Sequence, residues 1–362
     1  MRRFLIGALL TALLAYPMLF YAHKYAVPWT GMNDFRSYHA MVLNPLDFDA
    51  VRAPFAMRQI PTLIARAILE LGLIYPNDIW FEQHATQGGA TYSKDVFFAL
   101  MFGSFLGMVG TGGLLYMAAA RLDGERARLL SPYGLLAVGL LLLAGTTLFY
   151  TLAPLTEGWS WFLLLEIVVL SRRDDRWRWV ALPLLMLAIF ERELLPLVIA
   201  IIATAELLAG WTEVGADRRR YLLALLGTSL LSLFTYWLLR GVVLPLWEVD
   251  QRQISPIFWA RYLLLNWRRL IEFEFVQGVF FKLNVFLLWA AAAAAALRQG
   301  LPRQDTAFLA ALALSATTIL LIAVGSAGDR GSDRLVAILT PLFVLSLVEL
   351  LHRLNGADPR GD

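Results

Sequence analysis

Hydrophobic positions in this chain come in long blocks, not at alternating spacing. Ten apolar runs lie near 4–22, 96–120, 132–152, 158–171, 178–190, 194–211, 221–245, 279–297, 306–325 and 335–352. Several exceed the roughly 18 apolar residues that mark a membrane-spanning helix, and those at 158–171 and 178–190 are short. The pattern predicts an all-α, polytopic integral membrane protein with about ten transmembrane helices, forming one multi-span domain over 1–362.

Two long polar intervals, 23–95 and 246–278, interrupt the blocks, and each carries a helical pattern of its own. Ile60, Leu63, Ile64, Ala67, Ile68 and Leu71 recur at helical spacing, with Arg66 and Glu70 on another face and Pro61 in the first turn. In the second interval, Ser255-Pro256 suits an N-cap and N1 pair before IFWARYLLLNWRRLIEFEF. There Trp259, Tyr262 and Trp267 sit beside Arg261, Arg268 and Arg269. Both patterns predict amphipathic helices that lie along a membrane surface.

Charge assigns the sides. RLDGERAR (121–128), SRRDDRWR (171–178), GADRRR (215–220) and RQGLPR (298–303) are short and arginine-rich, whereas YTLAPLTEG (150–158) and FERE (190–193) hold almost no positive charge. With Arg2 and Arg3 before an uncleaved first span, the positive-inside rule puts both termini in the cytoplasm. The two long intervals, 150–158, 190–193 and GSAGDRGSDR (325–334) then face outward, on the extracytoplasmic side of the membrane. Composition agrees, at 59% hydrophobic and 16% charged residues against about 25% charged in soluble proteins. The net charge of +3 is spread between runs, which gives nucleic-acid binding no footing. Absence of Cys excludes disulfides and thiolate chemistry, and the four histidines are too scattered for a His-based metal site.

The outward face collects the candidate chemistry. Asp34, Arg36, His39, Arg52 and Arg58 come from the first interval, together with Asp47 and Asp49. Glu157, the triplet Glu191-Arg192-Glu193, and Asp329, Arg330, Asp333 and Arg334 come from three later turns. Ionisable groups are expensive near lipid, so a one-sided collection calls for pairing or function. Arginines hold phosphate through bidentate charge-assisted bonds, and a carboxylate can take the proton of an attacking hydroxyl. The combination suits group transfer from a lipid-linked phosphate. Bland roles compete with it: Asp34 equally suits the N-cap of a helix over FRSYHAMV, and Asp47 and Asp49 suit turns beside Pro45. Arg52 and Arg58 suit headgroup anchors, and Glu191 to Glu193 suit a charge cluster that ends a span. Gly103, Gly107, Gly110, Gly112 and Gly113 lie inside an apolar run and read as helix-packing residues, not a phosphate loop.

One span, a large outward loop with an early Asp in GMNDFRSYHAM, and many further spans resemble the GT-C superfamily of integral membrane glycosyltransferases. RAPFAMRQIPTLIAR (52–66), APLTEGWSWFLLLEIVVL (153–170) and GDRGSDRLVAILTPLF (328–343) are similar to stretches of its bacterial members. The resemblance implies transfer of a sugar from a polyprenyl-phosphate donor to a glycan, lipid or protein acceptor. It makes Asp34 the general base, with Arg36, His39, Arg52, Arg58, Glu157, Glu191, Arg192, Glu193, Asp329, Arg330, Asp333 and Arg334 as substrate-binding candidates. No cofactor is implied beyond the donor, and the lack of an adjacent Asp-Asp or Asp-Glu pair in the first loop argues against a divalent metal. A lipid-linked glycan polymerase or ligase, and a transporter or flippase for a lipid-linked saccharide, are the alternatives.

Overall fold

Each of the ten apolar runs contains helix in the computed structural model of the chain. It describes residues 1–24, 32–45, 47, 51, 55–72, 93–124, 130–152, 155–210, 215–244, 281–325 and 335–356. No strand occurs among them. The helices are α1 (Arg2–Lys24), α2 (Met32–Leu43), α3 (Gln59–Glu70), α4 (Lys94–Ala119), α5 (Pro132–Leu143) and α6 (Glu157–Ser171). They continue with α7 (Ala181–Leu187), α8 (Leu194–Gly210), α9 (Ala216–Leu238), α10 (Asn284–Gln299), α11 (Arg303–Gly325) and α12 (Thr340–Leu354). Starts and stops follow local chemistry. Ser131 caps α5 by accepting from the Gly134 N–H at 2.8 Å, with Pro132 at the first position. Gly300 ends α10 at φ 83°, a backbone conformation that suits glycine.

Among the described residues, five helical stretches are long and apolar enough to cross a membrane: Arg2–Phe20, Lys94–Ala119, Ala216–Val243, Arg303–Ile322 and Ala337–Leu354. The helices of the remaining runs are shorter. At about 1.5 Å per residue, the 15 residues of α6 reach roughly 22 Å, short of the ~30 Å hydrocarbon core. The run at 178–190 splits into a 3₁₀ turn (Arg176–Val180), α7 and a second 3₁₀ turn (Ala188–Phe190).

Helix α4 is the centre. It packs against α1, α3, α5, α6 and α12, and 78% of its apolar window is buried, against 22% for α1 and 28% for α9. Two close approaches set its spacing to α6. A Cβ on Gly158 would meet the Ser104 carbonyl oxygen, and a Cβ on Gly107 would come within 2.5 Å of the Gly158 carbonyl carbon. The glycines of α4 are packing residues.

Side-chain pairs sort the helix termini into two ends. At one end Arg172 pairs with Glu349 at 2.8 Å, Arg218 with Glu206 at 2.7 Å and Arg353 with Asp305 at 2.8 Å. Leu122, Arg172, Arg218 and Gln299, one from each arginine-rich turn, line a shared cavity of about 1330 Å³ there. The four turns therefore share an end, as their charge predicts. At the other end the start of α6 meets the turn before α8, and Trp161 donates to the Ala337 carbonyl at 2.9 Å.

The first amphipathic helix forms as α3. Its apolar face buries Pro61, Thr62, Ala65 and Ile68, with Ile64 and Ile68 reaching Gly103 of α4, while Leu63 stays exposed. Protein takes one of its faces, so it does not lie on lipid alone. The second, expected in 246–278, lies outside the described residues.

Candidate functional site

A buried polar cluster is built where α2, α3, α6, α8 and α9 meet. Helix α2 supplies Asp34 and Tyr38, one turn apart and so on one face. Tyr38 is fully buried, and its hydroxyl accepts from Arg58 Nη1 at 2.6 Å. Arg58 stands at the N-cap position of α3, 6% exposed, with its guanidinium 5.2 Å from the Phe55 ring centroid. Its Nη2 lies 4.0 Å from Glu193 Oε1.

Behind this pair lies a tighter one. Arg192 Nη2 donates to Glu157 Oε1 at 2.7 Å, with the side chains 1% and 0% exposed. The other Glu157 oxygen accepts from the Thr156 N–H at 3.1 Å. Glu191 is fully buried beside them and accepts from the Ser160 hydroxyl at 2.7 Å. Ser160 follows Glu157 by three residues, so the first turn of α6 presents both groups to the turn before α8. Among the described residues, Arg192 Nε and Nη1 and Glu191 Oε2 have no hydrogen-bond partner.

Burial pushes the Glu191 carboxyl up to about 7; the Ser160 hydrogen bond and the charges of Arg192 and Arg58 oppose that shift, and Glu157 adds to it. Tyr236 of α9 is within electrostatic reach of Glu193 and Arg58, and its hydroxyl accepts from Arg240 Nη1 at 3.3 Å. The site thus alternates guanidinium, carboxylate and hydroxyl across five elements. Such an array can orient a ligand rich in both donors and acceptors.

The sequence candidates fall into three groups. Arg58, Glu157, Glu191, Arg192 and Glu193 come together, and Asp34 shares the face of α2 that carries Tyr38. Asp34 is not the N-cap: α2 begins two residues earlier, and the carboxylate sits in its first turn, where the helix dipole favours it. Arg36 is exposed on a different face of α2. His39 turns toward the start of α4, where its Nε2 accepts from the Ser93 N–H at 3.0 Å, and burial lowers its pKa. Arg52, Asp329, Arg330, Asp333 and Arg334 lie outside the described residues, as does Asp49. Asp47 is exposed in the turn after α2.

The structure also changes the setting of 157 and 191–193. Sequence places them in short outward loops, yet Glu157, Glu191 and Arg192 are inside the bundle. Tyr38, Ser160, Tyr236 and Arg240 join the site without having been singled out for it. Spacing signals the first two, at four residues from Asp34 and three from Glu157. Among the described residues, no three His, Asp or Glu side chains gather in a way that could hold a metal ion. No protein-family model matches the chain, no curated protein matches it in sequence, and no solved structure matches it in fold.

Proposed function

We propose that the chain is a GT-C-like membrane glycosyltransferase with about ten spans, working on the extracytoplasmic face of a bacterial inner membrane. It would transfer a sugar from a polyprenyl-phosphate donor to a glycan, lipid or protein acceptor. The carrying observation is the convergence of Arg58, Glu157, Glu191, Arg192 and Glu193, from three separate stretches of chain, beside the Asp34 face of α2. In this reading the acceptor hydroxyl attacks the anomeric carbon, and Asp34 takes its proton. The bond from that carbon to the phosphate oxygen breaks, and the polyprenyl phosphate leaves with the electron pair. Arg58 meets the developing negative charge, because its planar guanidinium keeps its charge at a low-dielectric boundary and stands beside the Asp34 face through Tyr38. Arg192 is held by Glu157 inside the protein and positions the Glu191 turn.

The test is sugar transfer from a polyprenyl-phosphate donor by purified protein in lipid. Asp34→Asn keeps the shape of the residue and removes the base, so turnover should fall about 10²–10⁴-fold with unchanged unfolding behaviour. Full turnover by this variant would remove Asp34 from the mechanism. One observation favours a second reading, a transporter for a lipid-linked saccharide: the Glu157–Arg192 pair and Glu191 lie within the bundle, where transporters keep ionisable groups. Movement of a labelled lipid-linked sugar between leaflets, without transfer, would select it.

A further inference from the structure

The arginine-rich end of the bundle carries a surface that the proposed reaction does not use. The 3₁₀ turn Arg176–Val180 exposes Trp177 (53%) and Trp179 (42%), side by side with the first turn of α9. Both elements are locked together. Arg178 is buried, ion-paired with Asp217 and 5.1 Å from the Tyr221 ring centroid, while Trp179 meets Tyr221 edge-on at 5.4 Å. The Tyr221 hydroxyl donates to the Arg178 carbonyl at 3.1 Å. The Trp179 indole is thus held in place rather than free to turn away.

Around them the cations divide. Arg173, Arg178 and Arg218 are neutralised by Asp175, Asp217 and Glu206. Arg176 and Arg220 are exposed, and among the described residues neither has a carboxylate partner; Arg176 lies 6.0 Å from the Trp177 ring centroid. The patch therefore presents net positive charge beside two amphipathic rings.

Its height follows from α9. Leu223, Leu230, Leu231, Phe234 and Trp237 are all exposed, a strip of apolar side chains along one long helix. Arg220 and Arg240 bracket that strip, and at 1.5 Å per residue they stand roughly 30 Å apart, the thickness of a hydrocarbon core. With the strip in lipid, Arg220 and the two tryptophans fall at headgroup level, where indoles settle and arginines reach phosphate.

We infer that Arg176, Trp177, Trp179 and Arg220 form a binding site for the headgroup phosphate of an anionic phospholipid in the leaflet at the arginine-rich end. The occupant is lipid rather than a soluble anion because the charged groups continue directly into the exposed apolar strip below them. The net positive charge selects an anionic headgroup over a zwitterionic one.

The test is titration of the full chain in detergent with phosphatidylglycerol or phosphatidylcholine, followed by native mass spectrometry. Phosphatidylglycerol should bind more tightly. The variant R176Q/R220Q should weaken it by about five-fold per arginine, roughly twenty-five-fold for the pair, and weaken phosphatidylcholine, whose phosphate carries a compensating cation, much less. R176K/R220K should retain most of the preference, because the charge persists. Excess inorganic phosphate should displace little of the lipid. Equal binding of the two lipids, or an unchanged preference in R176Q/R220Q, would overturn the assignment, and so would full displacement by inorganic phosphate. None of these outcomes depends on sugar transfer, since Asp34 and Arg58 belong to the other end.

Discussion

Removing the charge of Glu157 should reveal how the buried ion pair is balanced. Glu157 and Arg192 are 0% and 1% exposed, and the Nη2–Oε1 distance is 2.7 Å. Breaking such a pair from one side leaves a buried charge uncompensated, which costs about 3–5 kcal/mol. Glu157→Gln has a further difficulty. The carboxylate accepts from both Arg192 and the Thr156 N–H, whereas an amide presents one oxygen and one nitrogen, so one donor faces another. Glu191 works in the opposite direction. Glu157 helps to hold the Glu191 carboxyl up, so its loss lets Glu191 ionise more readily beside Arg192. The single variant should therefore lose about 3 kcal/mol where Glu191 is ionised and closer to 5 kcal/mol where it is protonated. Arg192→Met should fall in the same range. Below about pH 7, where Glu191 is protonated, the double variant leaves no unpaired charge and should lose far less than the sum, with a coupling of at least about 2 kcal/mol. Equilibrium unfolding in mixed detergent, followed by tryptophan fluorescence, measures all three. A double variant destabilised by the full sum of the single losses would refute the pairing argument.

Two further outcomes test the same end of the bundle. Burial holds Glu191 at about 7 in the folded chain, against an ordinary value of 4.5, so the folded state binds the proton more tightly. Stability from this group is then greatest below about 4.5 and declines as pH rises through about 7, by roughly 3 kcal/mol. Glu191→Gln should flatten that decline in unfolding measured across the same pH window, and an unchanged slope would contradict it. Gly158→Ala would drive a Cβ into the Ser104 carbonyl and separate α4 from α6, at a cost of about 1–3 kcal/mol. Gly139→Ala, where nothing lies within 4 Å, should be neutral or slightly stabilising in the same thermal unfolding assay.

Much of the fold was legible because block hydrophobicity and arginine counts are local quantities. All ten runs contain helix, and the four arginine-rich turns meet around one cavity. Depth was not legible. A turn such as FERE reads as a loop because its residues are charged, and only partners distant in the chain show that it is inside. Glu157 and Arg192 are 35 residues apart, and Ser160 and Glu191 are 31 apart, so no window along the sequence contains either pair. Tyr38 is different, since four-residue spacing from Asp34 follows once a helix is assumed. Tyr236 and Arg240 reach the site only because α9 packs against α8, a tertiary event that spacing does not encode. The N-cap role weighed against the general-base role for Asp34 falls because α2 starts at Met32 and not at Phe35, a shift of three residues at the least certain feature of any helix.

The two ends of the bundle use charge under different physical conditions. At the arginine-rich end the pairs are partly solvated, with Arg218 and Glu206 at 24% and 20% exposed and Arg353 and Asp305 at 44% and 37%. Pairs of that kind contribute about 0–1 kcal/mol each and can be exchanged with little effect on folding. At the other end Arg192, Glu157 and Glu191 have almost no contact with solvent, and among the described residues three of their polar atoms have no hydrogen-bond partner. Each such atom costs about 1–3 kcal/mol, and apolar residues of similar volume would pack there at least as stably. Stability alone therefore gives no reason for this cluster. A ligand that supplies an acceptor to Arg192 and a donor to Glu191 would give one, because among the described residues Arg192 Nε and Nη1 and Glu191 Oε2 have no hydrogen-bond partner.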